Sequence, residues 1–229
     1  EKTSNTCIIV GNGPSLNQTD LGALAGQDVL ITNYSIINRK LRNLAKYLCV
    51  TNYLVAEQGA HEFNTLERIH KIIPYWLSYC ILPSPLTHYV KSVGYEAFST
   101  DFRENISWRS TVSFFAMQVA YALGYEKALL VGFDHSYQQP QGMAEGVVIQ
   151  QEEDDPNHFD PRYFKGKQWQ AADTEKMEAT YRLAKAAFEA DGREIINCTV
   201  GGKLELFRRS TLAVELGPAT SGDPRMNAK

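Results

Sequence analysis

The chain has 229 residues, 44% of them hydrophobic, which is enough for one sizeable α/β domain and too few for two full domains with linkers. Its 23 basic and 26 acidic side chains leave a net charge of -3, which excludes a global field that would draw nucleic acid or an anionic membrane, so any phosphate site has to be local. The four cysteines include no C-x-x-C pair and lie mostly in apolar runs, so they read as buried thiols of a reducing cytoplasm rather than a disulfide framework or zinc site. No signal peptide is evident and no apolar run approaches the roughly 18 residues of a membrane span, so a soluble cytoplasmic protein is expected. The start at Glu1 rather than at a methionine fits a piece cut from a longer protein with other domains.

The first element is Cys7-Ile8-Ile9-Val10, a short buried strand that breaks into Gly11-Asn12-Gly13-Pro14-Ser15-Leu16. Such a tight turn brings backbone amides to a strand's carboxyl end, where open α/β sheets bind nucleotides, although an ordinary strand-to-loop turn has the same composition. The third glycine of the dinucleotide fingerprint and the Gly-Lys-Ser/Thr of a P-loop are both missing. A short helix is expected within 20–26, a strand over 28–33, a helix near 35–46 and a strand over 47–52. These strands end on Asn12, Asn33 and Asn52, and in a parallel sheet three amides would share one edge, ready to donate to and accept from a ribose, base or phosphate. Asparagine also commonly begins turns, so the pattern has a purely structural reading beside this one.

Residues 53–70 read as helical and mostly polar, and 71–77 as a strand weakened by Pro74; 78–108 give no clear pattern. The clearest helix covers 110–123, where Val112, Phe115, Ala116, Val119 and Leu123 share a face and Gly124 stops it. Arg109 and Thr111 stand at its start. The strand over 127–134 repeats the opening grammar and carries Asp134, His135 and Tyr137 to its carboxyl end. From 136 to 172 apolar periodicity is lost, as in an inserted lid or binding loop, and Glu152-Glu153-Asp154-Asp155 reads as a solvated acidic run rather than a metal site. Asp173 caps a helix over 173–189, a last strand follows over 193–200, and the tail over 217–229 reads as disordered. His61, His70 and His88 read as structural or surface residues.

The glycine turn, Arg109 with Gly124-Tyr125-Glu126, Val131-Gly132-Phe133-Asp134, Asp155-Pro156-Asn157-His158-Phe159 and Thr199-Val200-Gly201-Gly202-Lys203 together resemble a bacterial family of uncharacterised proteins named after an archaeal 6-hydroxymethylpterin diphosphokinase. The resemblance covers roughly 7–208. That family is in turn similar to bacterial sialyltransferases of Rossmann-like type, which also open with a strand and Gly-Asn-Gly-Pro-Ser-Leu. The resemblance implies an α/β, Rossmann-like domain over 1–216, a mostly parallel sheet flanked by helices with a lid-like insertion at 136–172. It also implies that Gly11 to Ser15, Asn33, Asn52, Arg109, Thr111 and Asp134 bind a CMP-activated sugar. Two departures stand out: the sialyltransferases place a tyrosine two residues after the aspartate, where this chain has Ser136 with Tyr137 one position later, and Gln168 stands where they carry their catalytic histidine.

Sugar transfer needs a base for the acceptor hydroxyl and stabilisation of the departing phosphate. His158 is the preferred base because an insertion residue reaches an acceptor above the sheet, with His135 the second candidate; each ring has a structural reading beside the catalytic one. Tyr137 and Tyr163 are candidate donors to the leaving phosphate. The expectation is a metal-independent, cofactor-free glycosyltransferase of polysaccharide biosynthesis that takes a nucleotide-sugar donor and a glycan acceptor. The competing readings are a magnesium-dependent diphosphokinase acting on ATP and a pterin, which lacks an Asp-x-Asp pair and a lysine in the glycine turn, and a non-catalytic nucleotide-binding module.

Overall fold

The computed structural model describes residues 2–139 and 146–217. In chain order the elements are β1 (Thr6–Val10), β2 (Asp28–Thr32), α1 (Arg39–Leu44), β3 (Ala45–Cys49), α2 (Tyr53–Gln58), α3 (Ala60–Asn64), β4 (His70–Pro74), β5 (Thr87–Val90), β6 (Ser92–Val93), β7 (Ile106–Ser107), α4 (Val112–Ala122), β8 (Lys127–Val131), β9 (Val148–Gln151), β10 (Lys167–Gln170), α5 (Thr174–Ala190), β11 (Glu194–Asn197), β12 (Arg208–Arg209) and α6 (Leu212–Leu216). Short 3₁₀ turns follow β1, β2 and β4.

Eight strands form one sheet in the order β12-β11-β8-β1-β2-β3-β4-β5, and every pairing in it is parallel. The apolar runs are unbroken because both faces are covered. Cys7 and Ile9 of β1 face the layer of α4 and α5, whereas Ile8 and Val10 face the opposite layer with Val55, Phe63 and the aromatics of the 159–169 segment. The fold is a Rossmann-like α/β sheet flanked by helices. Helix α4 is buried from Phe114 to Tyr121, so it is a core element rather than an amphipathic cover.

Several boundaries depart from the sequence pattern. Asn38 caps α1 anew after the 3₁₀ turn over Asn33–Ile37, so the expected 35–46 helix is cut short and β3 begins at Ala45. Gly59 divides the 53–70 stretch into α2 and α3. Pro74 closes β4 instead of weakening its middle, and the segment without a clear pattern supplies the edge strand β5 and the β6/β7 pair. The insertion holds an antiparallel hairpin, β9 with β10, rather than lacking regular structure. The tail expected to be disordered lies, from residue 218 onward, outside the described residues. Among the described residues no helix is long and apolar enough to cross a membrane.

Candidate active site

After β5 the chain returns to the other side of β1, so β1 and β8 are neighbours whose onward connections run in opposite directions. That is a topological switch point, where the carboxyl ends of neighbouring strands part into a crevice. The glycine turn sits there, but the amides of Gly11, Gly13 and Ser15 are turned inward rather than toward the crevice as the sequence suggested. Gly11 N–H donates to Val131 O at 2.8 Å and Gly13 N–H to Gly132 O at 3.0 Å, extending the β1–β8 ladder into the turn. Ser15 N–H and Oγ–H donate to the Asp134 carboxylate at 3.1 and 2.6 Å. Glycine is required for close approach: a Cβ on Gly11 would lie 2.5 Å from Gly132 O, and one on Gly13 1.9 Å from Asp134 Oδ2.

The three strand-end asparagines do share the carboxyl edge, with different employment. The Asn12 amide donates to Thr32 Oγ1 at 2.9 Å and accepts from Ser35 Oγ at 2.6 Å, tying β1 to β2. Asn52 caps α2 through Val55 N–H and donates to Gln170 Oε1 at 2.7 Å, tying β3 to β10. Asn33 keeps a buried Oδ1 without a partner and a φ of 49°. Among the described residues the other non-glycine positions with left-handed backbone are Ser110, at 70°, and His135, at 54°. All three border the same crevice, and backbone strain of this kind persists where the surrounding structure over-determines it, at binding and catalytic sites above all.

The glycine turn also anchors the insertion. Asn12 O accepts from Phe159 N–H at 2.9 Å, and Asn17 Nδ2 donates to Phe159 O at 2.8 Å. This pins the neighbouring His158, whose ring stacks on Tyr163 at 3.9 Å between centroids and meets Phe164 edge-on. His158 Nδ1–H donates to Asp155 Oδ2 at 2.7 Å, and Asp155 Oδ1 accepts from Asn157 N–H. Asp155 is only 5% exposed, so the acidic run is solvated over Glu152–Asp154 and buried at its last member. A buried carboxylate on Nδ1 orients the ring and, in the neutral form, selects the tautomer in which Nε2 is the acceptor. The Asp-x-x-His spacing was present in the sequence as the signal for this pair.

The remaining expected residues are distributed around this centre. Thr111 caps α4, accepting from Ser113 N–H at 3.3 Å, with Arg109 on the adjoining wall. Tyr137 borders the crevice, and burial together with the Asp134 charge pushes its phenol up to about 12, so it keeps its proton as a donor at neutral pH. His135 is spent on Glu178 Oε1 at 3.2 Å. Tyr163 stacks against His158 on the border of the smaller cavity, its hydroxyl accepting from Tyr34 N–H at 3.2 Å. Gln168 clamps its backbone to Gln58 on α2. Of the histidines read as structural or surface, His61 is exposed, and His70 Nδ1 meets His88 Nε2 at 2.9 Å away from the crevice. Among the described residues no group of three or more His, Cys, Asp or Glu is placed to hold a metal ion.

Two compartments make up the crevice. A cavity of about 110 Å³ lies over the glycine turn, Asp134 and the start of α4, and one of about 630 Å³ lies beside it, bordered by Asn52, Arg109 and the three tryptophans. The larger volume falls in the range of small-molecule sites. Both compartments share Asn33, Thr111, Val112, Tyr137, His158 and Phe164 as walls.

No protein-family model and no curated protein sequence matches the chain. Among solved structures it is similar to the MAf glycosyltransferase from Magnetospirillum magneticum AMB-1, with a TM-score of 0.57 and 16% identity over 92% of this chain and 34% of that one. The chain spans about a third of the length of that protein, and the likeness at this identity is one of fold.

Proposed function

We propose that the protein is a glycosyltransferase that moves an acidic sugar from a nucleotide, CMP on the strength of the sequence resemblance, to a hydroxyl of a glycan acceptor without a metal ion. The observation that carries this reading is the place of His158: the Asp155-oriented ring stands on the wall common to two joined compartments, as a base between donor and acceptor requires. The fold neighbour, named a glycosyltransferase, supports the same class.

In this reading the donor lies over the switch point and the acceptor in the larger compartment. His158 Nε2 takes the proton of the acceptor hydroxyl as its oxygen attacks the anomeric carbon. The bond from that carbon to the phosphate oxygen breaks, and CMP leaves with the electron pair. The amino end of α4, the Arg109 guanidinium and the Tyr137 hydroxyl stabilise the oxyanion as it forms. Asp155 acts through His158, holding the ring and stabilising it once protonated.

His158→Ala tests the reading. Transfer from a CMP-sugar is expected to fall by about 10²- to 10⁴-fold while CMP affinity stays within about a few-fold, because the base acts on the acceptor. Retention of most of the activity would remove His158 from the mechanism.

A further inference from the structure

We infer that the mouth of the larger compartment is a stacking platform for a pyranose ring of the acceptor, built from Trp76 and Trp108 with Tyr53 beside them; this rests on the transferase reading above and names how its acceptor is held. All three tryptophans of the chain, Trp76, Trp108 and Trp169, border this one cavity. Trp76, in the 3₁₀ turn at the end of β4, is 37% exposed, and it meets Trp108 at 5.7 Å between centroids and 62° between planes. The fold gains nothing in stability by leaving an indole so open at a concave site. Gly94 seats the second ring: a Cβ there would lie 2.7 Å from Trp108 Cζ2, so the glycine serves the position of the indole.

The geometry points to a sugar rather than a base. A planar nucleobase is held best between parallel faces, and these rings meet edge to face. A pyranose chair offers one apolar C–H face to the negative face of an indole and a rim of hydroxyls to whatever surrounds it. The surroundings have that second requirement. Of the four buried side-chain atoms without a hydrogen-bond partner among the described residues, two belong to residues that border this compartment alone: Ser110 Oγ and Trp169 Nε1. Trp169 is only 6% exposed, so its N–H is shielded from bulk solvent. Unpartnered polar groups are costly in a native structure, and hydroxyls of a ligand that shifts these side chains slightly toward the cavity would satisfy a donor and an acceptor here.

The confinement of every tryptophan to this cavity makes intrinsic fluorescence the direct readout. Lactose, N-acetyllactosamine and chitotriose are titrated at millimolar concentration, with CMP and a serine- and threonine-rich peptide as separate arms. At least one saccharide is expected to change the emission saturably without nucleotide. Trp76→Ala should raise its half-saturation about tenfold, Trp76→Phe should restore most of the affinity, and the melting-temperature rise with CMP should be unaltered in both. Gly94→Ala should weaken the saccharide likewise by displacing Trp108. No response to any saccharide overturns the platform, as does a response to the peptide alone. Quenching by CMP that Trp76→Ala abolishes would make the platform a nucleobase site and overturn it too. Saccharide binding is read without donor or turnover, so its failure is distinct from failure of the transferase reading, which the CMP arm and the His158→Ala assay report.

Discussion

Asn33 separates binding from stability more sharply than any other residue of the crevice. Its unpartnered Oδ1 and left-handed backbone both cost the free protein energy. Asn33→Gly removes the two costs together and gives back some unfolded-state entropy. Stability by urea titration is expected to stay within about 1 kcal/mol of the parent. CMP affinity is expected to fall about tenfold as one good hydrogen bond is lost. An unchanged affinity would relegate Asn33 to the turn-forming role that asparagine plays elsewhere. At this scale the sequence was legible in type and less so in employment. Three asparagines at strand ends were visible, but only the structure distinguishes the two engaged in tying strands together from the one left free. Asp155 was concealed by its neighbours, since a run of four acids looks uniformly solvated until one of them is turned inward by a histidine three residues on.

Among the elements, β2 is fastened at its amino end by Asp28. Burial alone would raise this carboxyl, but hydrogen bonds from Lys46 at 2.6 Å, from the Thr3 hydroxyl and amide and from Tyr125 at 2.8 Å outweigh it and hold the group at about 2. Because the folded value lies below the unfolded one, the stabilisation is complete above about pH 4 and is lost as pH falls through about 2. Asp28→Asn should therefore destabilise the protein by roughly 2 kcal/mol at neutral pH, and by progressively less in acid as the parent loses its carboxylate. Chemical denaturation of both proteins at a series of pH values measures the gap, and a constant gap from neutrality to pH 2 would contradict it. The strands of the main sheet from β1 to β4, with β8 and β11, were readable because burial on both faces makes each an unbroken apolar run. The hairpin β9/β10 was not, because Val148-Ile149-Gln150-Gln151 alternates too little to separate from a loop, and β5 was obscured by Pro83 and Pro85 just before it.

For the whole molecule, the two enzyme classes differ in the charge they must neutralise. A departing nucleoside monophosphate is within reach of one helix terminus, an arginine and a phenol, whereas a triphosphate calls for magnesium. CMP at about a hundred times its dissociation constant should contribute about 2.7 kcal/mol and raise the melting temperature by roughly 5–10 °C. EDTA should leave that rise intact. A magnesium-dependent rise with ATP and none with cytidine nucleotides would instead assign the protein to the diphosphokinases. The glycine turn illustrates why the architecture was easier to read than the site: its composition announced a strand end correctly, but glycine's absent side chain serves equally to expose an amide or to let two backbones touch. Here it does the second.

The adjacency of β1 and β8 bears on how the molecule comes into being. Thr6 pairs beside Lys127, so more than half of the chain must be made before the central strand gains its second neighbour. Until then β1 is the open margin of a half-built sheet, an apolar edge exposed during synthesis. The crevice has no form without that pairing, because its walls come from segments more than a hundred residues apart, the turn after β1 and the end of β8. The β1–β8 pairing is thus a long-range contact, the kind whose loop closure slows folding, and the crevice takes shape only when it forms.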